Sequence, residues 1–249
     1  MTYKALTVDT SSVEPLPEDL HEIVHSQVKE IFYAGGMRQP NRQLLMQMSP
    51  DVSRFYWRHI SCNDSEREDI FLRTIGQCHN KEWHDARYPR ISASTSQKLA
   101  SSIKAETTLK YFFESPLDND NFRYGRETEA EAIDEYKSLK TDYTVLESGL
   151  VICRQMHWLA ATPDALVIDD NGELIILEVK CPISGRTGTL NVTYIDEDGN
   201  LNTKDKLGRA YYAQIQVQLI ACDVKRAHLY VYGQFNSQLV LVERDEQFI

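Results

Sequence analysis

Apolar side chains return at helical intervals from Asp19 onward, where Leu20, Ile23, Val24, Val28, Ile31 and Phe32 follow one another and Gly35-Gly36 ends the run. Ser49-Pro50 predicts the start of a second helix, with the serine as cap and the proline in the first turn. Ser65 and Glu68 have capping-box spacing ahead of Ile70, Phe71, Leu72 and Ile75, which predicts a third. Residues 1–16 are polar. The first stretch, residues 1–80, therefore predicts a helical extension, and residues 81–249 form a segment of different texture.

In that second segment, Ile91-Ser-Ala-Ser-Thr-Ser96 leads into a short helix, and a longer helix is expected from about Tyr124 to Leu139 with Ala130, Ile133 and Tyr136 inward. Strand-like runs follow at 143–153 and 158–168. The turn sequence Asp169-Asp-Asn-Gly172 joins the latter to Glu173–Cys181 as a hairpin. Residues 190–204 read as a polar excursion around Asp196-Glu-Asp-Gly199. A helix at about 209–222 and strands at 226–233 and 238–244 complete the order. No internal repeat is present. Helices, three strands, a helix and two strands predict an α/β (α+β) fold with a central mixed sheet flanked by helices.

The 249 residues are 42% hydrophobic, enough for a substantial core. No apolar run approaches the roughly 18 residues of a membrane span and no secretory pattern opens the chain, so a soluble, intracellular protein without a membrane partner is expected. The five cysteines, Cys62, Cys78, Cys153, Cys181 and Cys222, are scattered and lack zinc-site spacing, which points to free thiols. The net charge of −10 opposes a uniformly basic nucleic-acid surface. A local basic channel inside an acidic total remains compatible with it, and would make binding strongly salt-sensitive.

The chemistry concentrates in Ala161-Thr-Pro-Asp164 and Leu177-Glu178-Val179-Lys180. Glu178 and Lys180 are two apart on one predicted strand and share a face. If that strand pairs with the one Asp164 opens, the three groups converge. Two carboxylates and a backbone carbonyl, that of Val179, make an all-oxygen site suited to a hard cation such as Mg2+. Lys180 could then orient or help deprotonate an attacking water, or stabilise charge on a phosphate. A Glu-x-Lys pair alone is ordinarily a solvated face with an ion pair. Here Leu174, Ile175, Ile176, Leu177 and Val179 make a strand covered on both sides, where charges at the end need a compensating partner.

The ordered set Trp83-His84-Asp85-Ala86-Arg87 with Ile91-Ser-Ala-Ser94, Gly125-Arg-Glu-Thr-Glu129-Ala-Glu-Ala132, Ala161-Thr-Pro-Asp164, Leu177-Glu-Val-Lys-Cys-Pro182 and Tyr211-Tyr-Ala-Gln214-Ile-Gln216 resembles the PD-(D/E)XK nuclease superfamily. Within it, the pattern is similar to the phage lambda exonuclease group of YqaJ-type viral recombinase nucleases. Val242-Glu-Arg-Asp-Glu246 resembles that group's last core strand. The helical first 80 residues have no counterpart in the short phage enzyme.

The resemblance implies roles for the matching positions. Asp164, Glu178 and the Val179 carbonyl would hold one or two Mg2+ ions, with Mn2+ able to substitute, and Lys180 would be catalytic. Glu129 would be the further acid facing the metals; a glutamate on a Glu-rich helix is otherwise simply solvated, and Glu127 and Glu131 point elsewhere on it. Gln214 would position the water, Lys180 or a phosphate, where an amide on a packed helix is otherwise structural; Gln216 and Gln218 are weaker contributors. Arg87 and Ser94 would bind a DNA 5′-phosphate. An arginine fork beside a helix N-terminus suits an anion, although Ser94 as a cap and Arg87 as a surface residue is the plain alternative. Trp83 and Tyr211 would approach DNA or pack, and His84 is structural. The activity implied is a 5′→3′ exonuclease on double-stranded DNA ends, working as a homo-oligomer, a trimer in the phage enzyme. An endonuclease, an RNA-directed nuclease, or a catalytically idle module that binds DNA or protein are the alternatives.

Overall fold

The computed structural model describes residues 49–100, 120–187, 190 and 192–248, and the helix expected over Asp19–Phe32 lies outside the described residues. Helix α1, Pro50–Phe55, is capped by Ser49 as its sequence predicts, and runs on into a π-helical turn at Tyr56–Ile60 that buries Tyr56 and Ile60. Helix α2, Asp64–Arg73, starts earlier than the Ser65–Glu68 spacing indicates. Asn63 accepts the Glu66 N–H at 2.9 Å and Glu66 accepts the Asn63 N–H at 2.7 Å, so the capping box lies two residues upstream. That start turns Arg67 and Phe71 inward.

A 3-10 turn at Gln77–His79 leads into α3, Lys81–Arg87, which the periodicity of its few residues did not mark as separate. Strand β1, Ile91–Ser92, runs directly into α4, Ala93–Ala100. The long helix α5 spans Asp120–Leu139 and begins a turn before Tyr124.

Each of the two long apolar runs is broken in two. The first gives β2, Thr144–Leu146, and β3, Val151–Ile152; the second gives β4, Leu159–Ala161, and β5, Ala165–Ile168. Both breaks are places where the chain changes sheet. At Gly149 it passes so close to α2 that a Cβ would lie 1.9 Å from the Phe71 carbonyl oxygen, a fit for glycine alone. At Thr162-Pro163 the proline has no N–H to extend a ladder.

The expected central mixed sheet is present, and a second, smaller sheet accompanies it. A five-stranded mixed sheet has the order β2-β5-β6-β7-β8, with β6 at Leu174–Lys180, β7 at Arg226–Val231 and β8 at Gln238–Glu243. A three-stranded sheet has the order β1-β4-β3. In the larger, β5 and β6 are antiparallel through the hairpin at 169–172, where Gly172 has φ +78°; β6 and β7 are parallel. Helix α6, Lys206–Cys222, forms the crossover between them and begins three residues before the expected start at about 209 because Asp205 caps it.

Strand β6 is covered on both faces. Ile176 packs with Ile215 and Leu219 of α6, while Ile175, Leu177 and Val179 pack with Ala132 and Tyr136 of α5. The described part of the N-terminal helical stretch is stitched to this core by two buried arginines. Arg67 donates from Nε to the Ile152 carbonyl at 2.9 Å, and Arg90 donates to the carbonyls of Ile60, Ala86 and His157 at 2.8, 2.6 and 2.9 Å. All five cysteines are free, and among the described residues no helix is long and apolar enough to cross a membrane.

Candidate active site

The site forms where the second apolar run changes sheets. Asp164 precedes β5, and its N–H donates to the Leu177 carbonyl at 3.1 Å. Its Oδ2 accepts the Val179 N–H at 2.6 Å, standing in for the ladder acceptor that β5 would otherwise supply. Since Leu177 O and Val179 N face this side of β6 and Lys180 O faces Tyr232 N on the other, backbone alternation directs the Val179 carbonyl toward Asp164 as well.

Glu178 lies on the face covered by α6 and is 2% exposed. A carboxylate buried to this extent is expensive unless its oxygens are saturated. Here Oε1 accepts from Lys180 Nζ and, at 2.6 Å, from Gln214 Nε2, while Oε2 accepts from Gln218 Nε2 at 2.6 Å. Lys180 is half-buried, with its ammonium 5.1 Å from the Tyr211 ring centroid. Burial favours its neutral form, but the Glu178 and Asp164 carboxylates outweigh that and hold the ammonium above its ordinary range.

Glu129 of α5 is half-buried and senses the same charges, whereas Glu127 and Glu131 are exposed. Burial and then Glu178 raise the Glu129 carboxyl, against the pull of Lys180 and His79. Burial, Glu178 and Glu129 hold Asp164 well above the usual carboxylate range, opposed by Lys180 and the Val179 N–H. Asp164, Glu178, Lys180, Glu129 and Gln214 thus lie around one pocket.

The donor set fits a hard divalent cation: mutually repelling carboxylates and a backbone carbonyl, all oxygen. Among the described residues no three His, Cys, Asp or Glu side chains already stand as a ready-made cage. The Lys180 ammonium lies against Glu178 and neutralises part of the charge that such a cation would. Asp164, Glu178, the Val179 carbonyl and Glu129 could hold Mg2+ or Mn2+.

Arg87 donates to Ser92 Oγ at 2.9 Å and Ser94 Oγ at 3.1 Å, and its guanidinium lies 4.8 Å over the Trp83 ring. Burial lowers its pKa. Ser94 is exposed in the first turn of α4. These groups are joined to the carboxylate pocket, since Trp83 Nε1 donates to Thr162 Oγ1 at 2.9 Å, two residues before Asp164. With Arg87 on its ring face and Leu150, Ile152 and Ala160 packed beside it, Trp83 is first a platform for the arginine. Tyr211 likewise packs beneath Lys180, edge-on to Tyr194. His84 is exposed, and its Nε2 lies 2.9 Å from the Cys78 carbonyl oxygen.

Gln218, ranked by its sequence context as a weaker contributor than Gln214, also reaches Glu178. It is fully buried and holds one oxygen of Glu178. Its spacing of four from Gln214 on one helix, which puts both amides on the same face, was the available signal. Gln216 instead clips the chain end of β8, donating to the Glu243 carbonyl and accepting the Asp245 N–H, each at 2.8 Å.

Residues 82–225 match the YqaJ-like viral recombinase domain. No curated protein sequence matches the chain. Among solved structures, an alkaline exonuclease from Laribacter hongkongensis is similar with a TM-score of 0.52 and 24% identity, over 68% of this chain and 84% of that one. The same exonuclease in complex with dAMP is similar with a TM-score of 0.52 and 23% identity, over the same shares. These likenesses give the fold, and the match over more than half of the residues gives the family. The chain therefore belongs to the YqaJ-like viral recombinase domain family and carries its nuclease fold.

Proposed function

We propose that the protein is a divalent-metal-dependent deoxyribonuclease that digests duplex DNA from 5′ ends. The observation that carries the reading is the convergence of Asp164, Glu178 and Glu129 with the Lys180 ammonium at the open end of β5 and β6. A bound Mg2+ or Mn2+ would supply charge neutralisation and polarisation of the scissile phosphate. Lys180, beside Glu178 and over the Tyr211 ring, presents a positive charge to the phosphate and orients the attacking water. Gln214 and Gln218 hold the Glu178 side chain fixed in direction.

The water oxygen bonds to phosphorus and gives up a proton to solvent, the P–O3′ bond breaks, and the released 3′ oxygen takes up a proton from solvent. A 5′-phosphorylated mononucleotide leaves. The similar alkaline exonuclease in complex with dAMP supports a nucleoside 5′-monophosphate as product. Arg87, Ser92 and Ser94, reached from Asp164 through Thr162 and Trp83, support capture of the terminal 5′-phosphate.

The test is hydrolysis of end-labelled linear duplexes with and without a 5′-phosphate, beside circular, single-stranded and RNA substrates. The expected result is Mg2+-dependent release of mononucleotides from linear duplex, faster with the 5′-phosphate. Equal rates on both ends would remove the phosphate pocket. Cleavage of circular DNA would make the enzyme an endonuclease, and preference for RNA would overturn the substrate.

A further inference from the structure

The turn between α2 and α3, at Gly76-Gln77-Cys78-His79, has a backbone conformation its residues would not choose. Gly76 has φ +91° and Gln77, a residue with a Cβ, has φ +48°. Left-handed backbone at a side chain other than Gly, Asn or Asp is unfavourable and persists where its surroundings impose it. What the conformation achieves is on the other side of a chain crossing. Gln77 Nε2 donates to the Pro163 carbonyl at 3.1 Å and approaches the Ser148 carbonyl at 3.4 Å.

The Pro163 carbonyl belongs to the peptide unit whose N–H is that of Asp164, and that N–H donates to the Leu177 carbonyl at 3.1 Å. The plane preceding Asp164 is thus pinned from both sides, by β6 on one and by Gln77 on the other. Because a peptide unit is planar, fixing it fixes the N–Cα axis from which the Asp164 side chain departs, and the Val179 N–H on Oδ2 restrains the rotation about that axis. Just upstream, the same helical stretch contacts Leu150, whose N–H donates to Thr74 Oγ1 at 2.8 Å, so the Ser148 carbonyl is held relative to it too.

We infer that Gln77 is a positioning residue for Asp164, and that residues 49–79 are part of the catalytic apparatus rather than an appendage to it. The inference rests on the nuclease reading above only in giving Asp164 its role; the geometry it invokes is independent of turnover.

Two substitutions separate positioning from mere structure. Gln77→Gly removes the amide and relaxes the backbone, whereas Gln77→Ala removes the amide and leaves the backbone strained. The expected result is that Gln77→Gly melts at or above the temperature of the unsubstituted protein and Gln77→Ala below it. Both should need roughly 10-fold more Mg2+ for half-maximal hydrolysis, the size of effect seen when a residue orienting a metal ligand is lost. Both should also exchange the Val179 amide hydrogen faster, because that amide is held by the Asp164 carboxylate.

If Gln77→Gly matches the unsubstituted protein in Mg2+ requirement and Val179 exchange, the inference is wrong, and Gln77 only stabilises a turn. If the unsubstituted protein hydrolyses nothing with Mg2+, the nuclease reading fails separately, and the Val179 exchange rate still decides the role of Gln77.

Discussion

Asp164 is kept in a position that its own charge resists, since burial and two neighbouring carboxylates raise its pKa well above the ordinary value. A group whose charged form is disfavoured in the fold destabilises the metal-free protein near neutral pH. Asp164→Asn keeps an oxygen for the Val179 N–H and removes the repulsion. The variant should therefore unfold later without metal, by about 1 kcal/mol, while losing at least about 100-fold in Mg2+-dependent hydrolysis. Denaturant unfolding alongside a hydrolysis assay checks both, and a destabilised variant would contradict the electrostatic account. Asp164, Glu178 and Lys180 were legible in the chain because charges at the end of an apolar strand need a reason. Gln218 and Gln77 were harder to find. An amide announces nothing by its type, and the importance of each depends on which carbonyl or carboxylate a distant element brings to it.

Among the elements, β7 carries a pH-sensitive group remote from the site. His228 is buried beside Tyr136, whose hydroxyl lies 2.7 Å from Nδ1, and its pKa is lowered from 6.5 to about 4 by burial, then by Lys140 and Arg226. As pH falls below 6.5 the unfolded chain takes up a proton that the folded one refuses. Stability is thus lost from there down to about 4, by about 3 kcal/mol in all. His228→Asn retains a polar partner for Tyr136 without that titration. Its unfolding free energy should fall less than that of the unsubstituted protein between about pH 7 and about pH 4.5; equal falls would remove His228 from the account. The hairpin of β5 and β6 was readable from its turn residues, with Gly172 at the left-handed position. The breaks at Gly149 and at Thr162-Pro163 were not, because apolar residues lie on both sides of each and periodicity does not register a change of sheet.

For the molecule as a whole, the order of five short motifs identified the family more surely than any bulk property. The net charge of −10 on its own argues against a nucleic-acid partner, yet the candidate phosphate contacts are local: Lys180 at the carboxylate pocket and Arg87 at the start of α4. The central mixed sheet that the sequence predicts is there with five strands, a second sheet of three strands accompanies it, and Asp164 lies at the crossing between them. The helical stretch from residue 49 is tied to the three-stranded sheet by Arg67, to the segment before β4 by Arg90, and to the crossing by Gln77. The claim on which the rest depends is that Asp164 and Glu178 share a cation. Anomalous diffraction from crystals grown with Mn2+ tests it most directly. The account predicts an ion within about 2.0–2.6 Å of an Asp164 oxygen, a Glu178 oxygen and the Val179 carbonyl, with Lys180 moved off Glu178. Mn2+ bound elsewhere, or a Glu178 that keeps Lys180, Gln214 and Gln218 as its partners at saturating Mn2+, would contradict it.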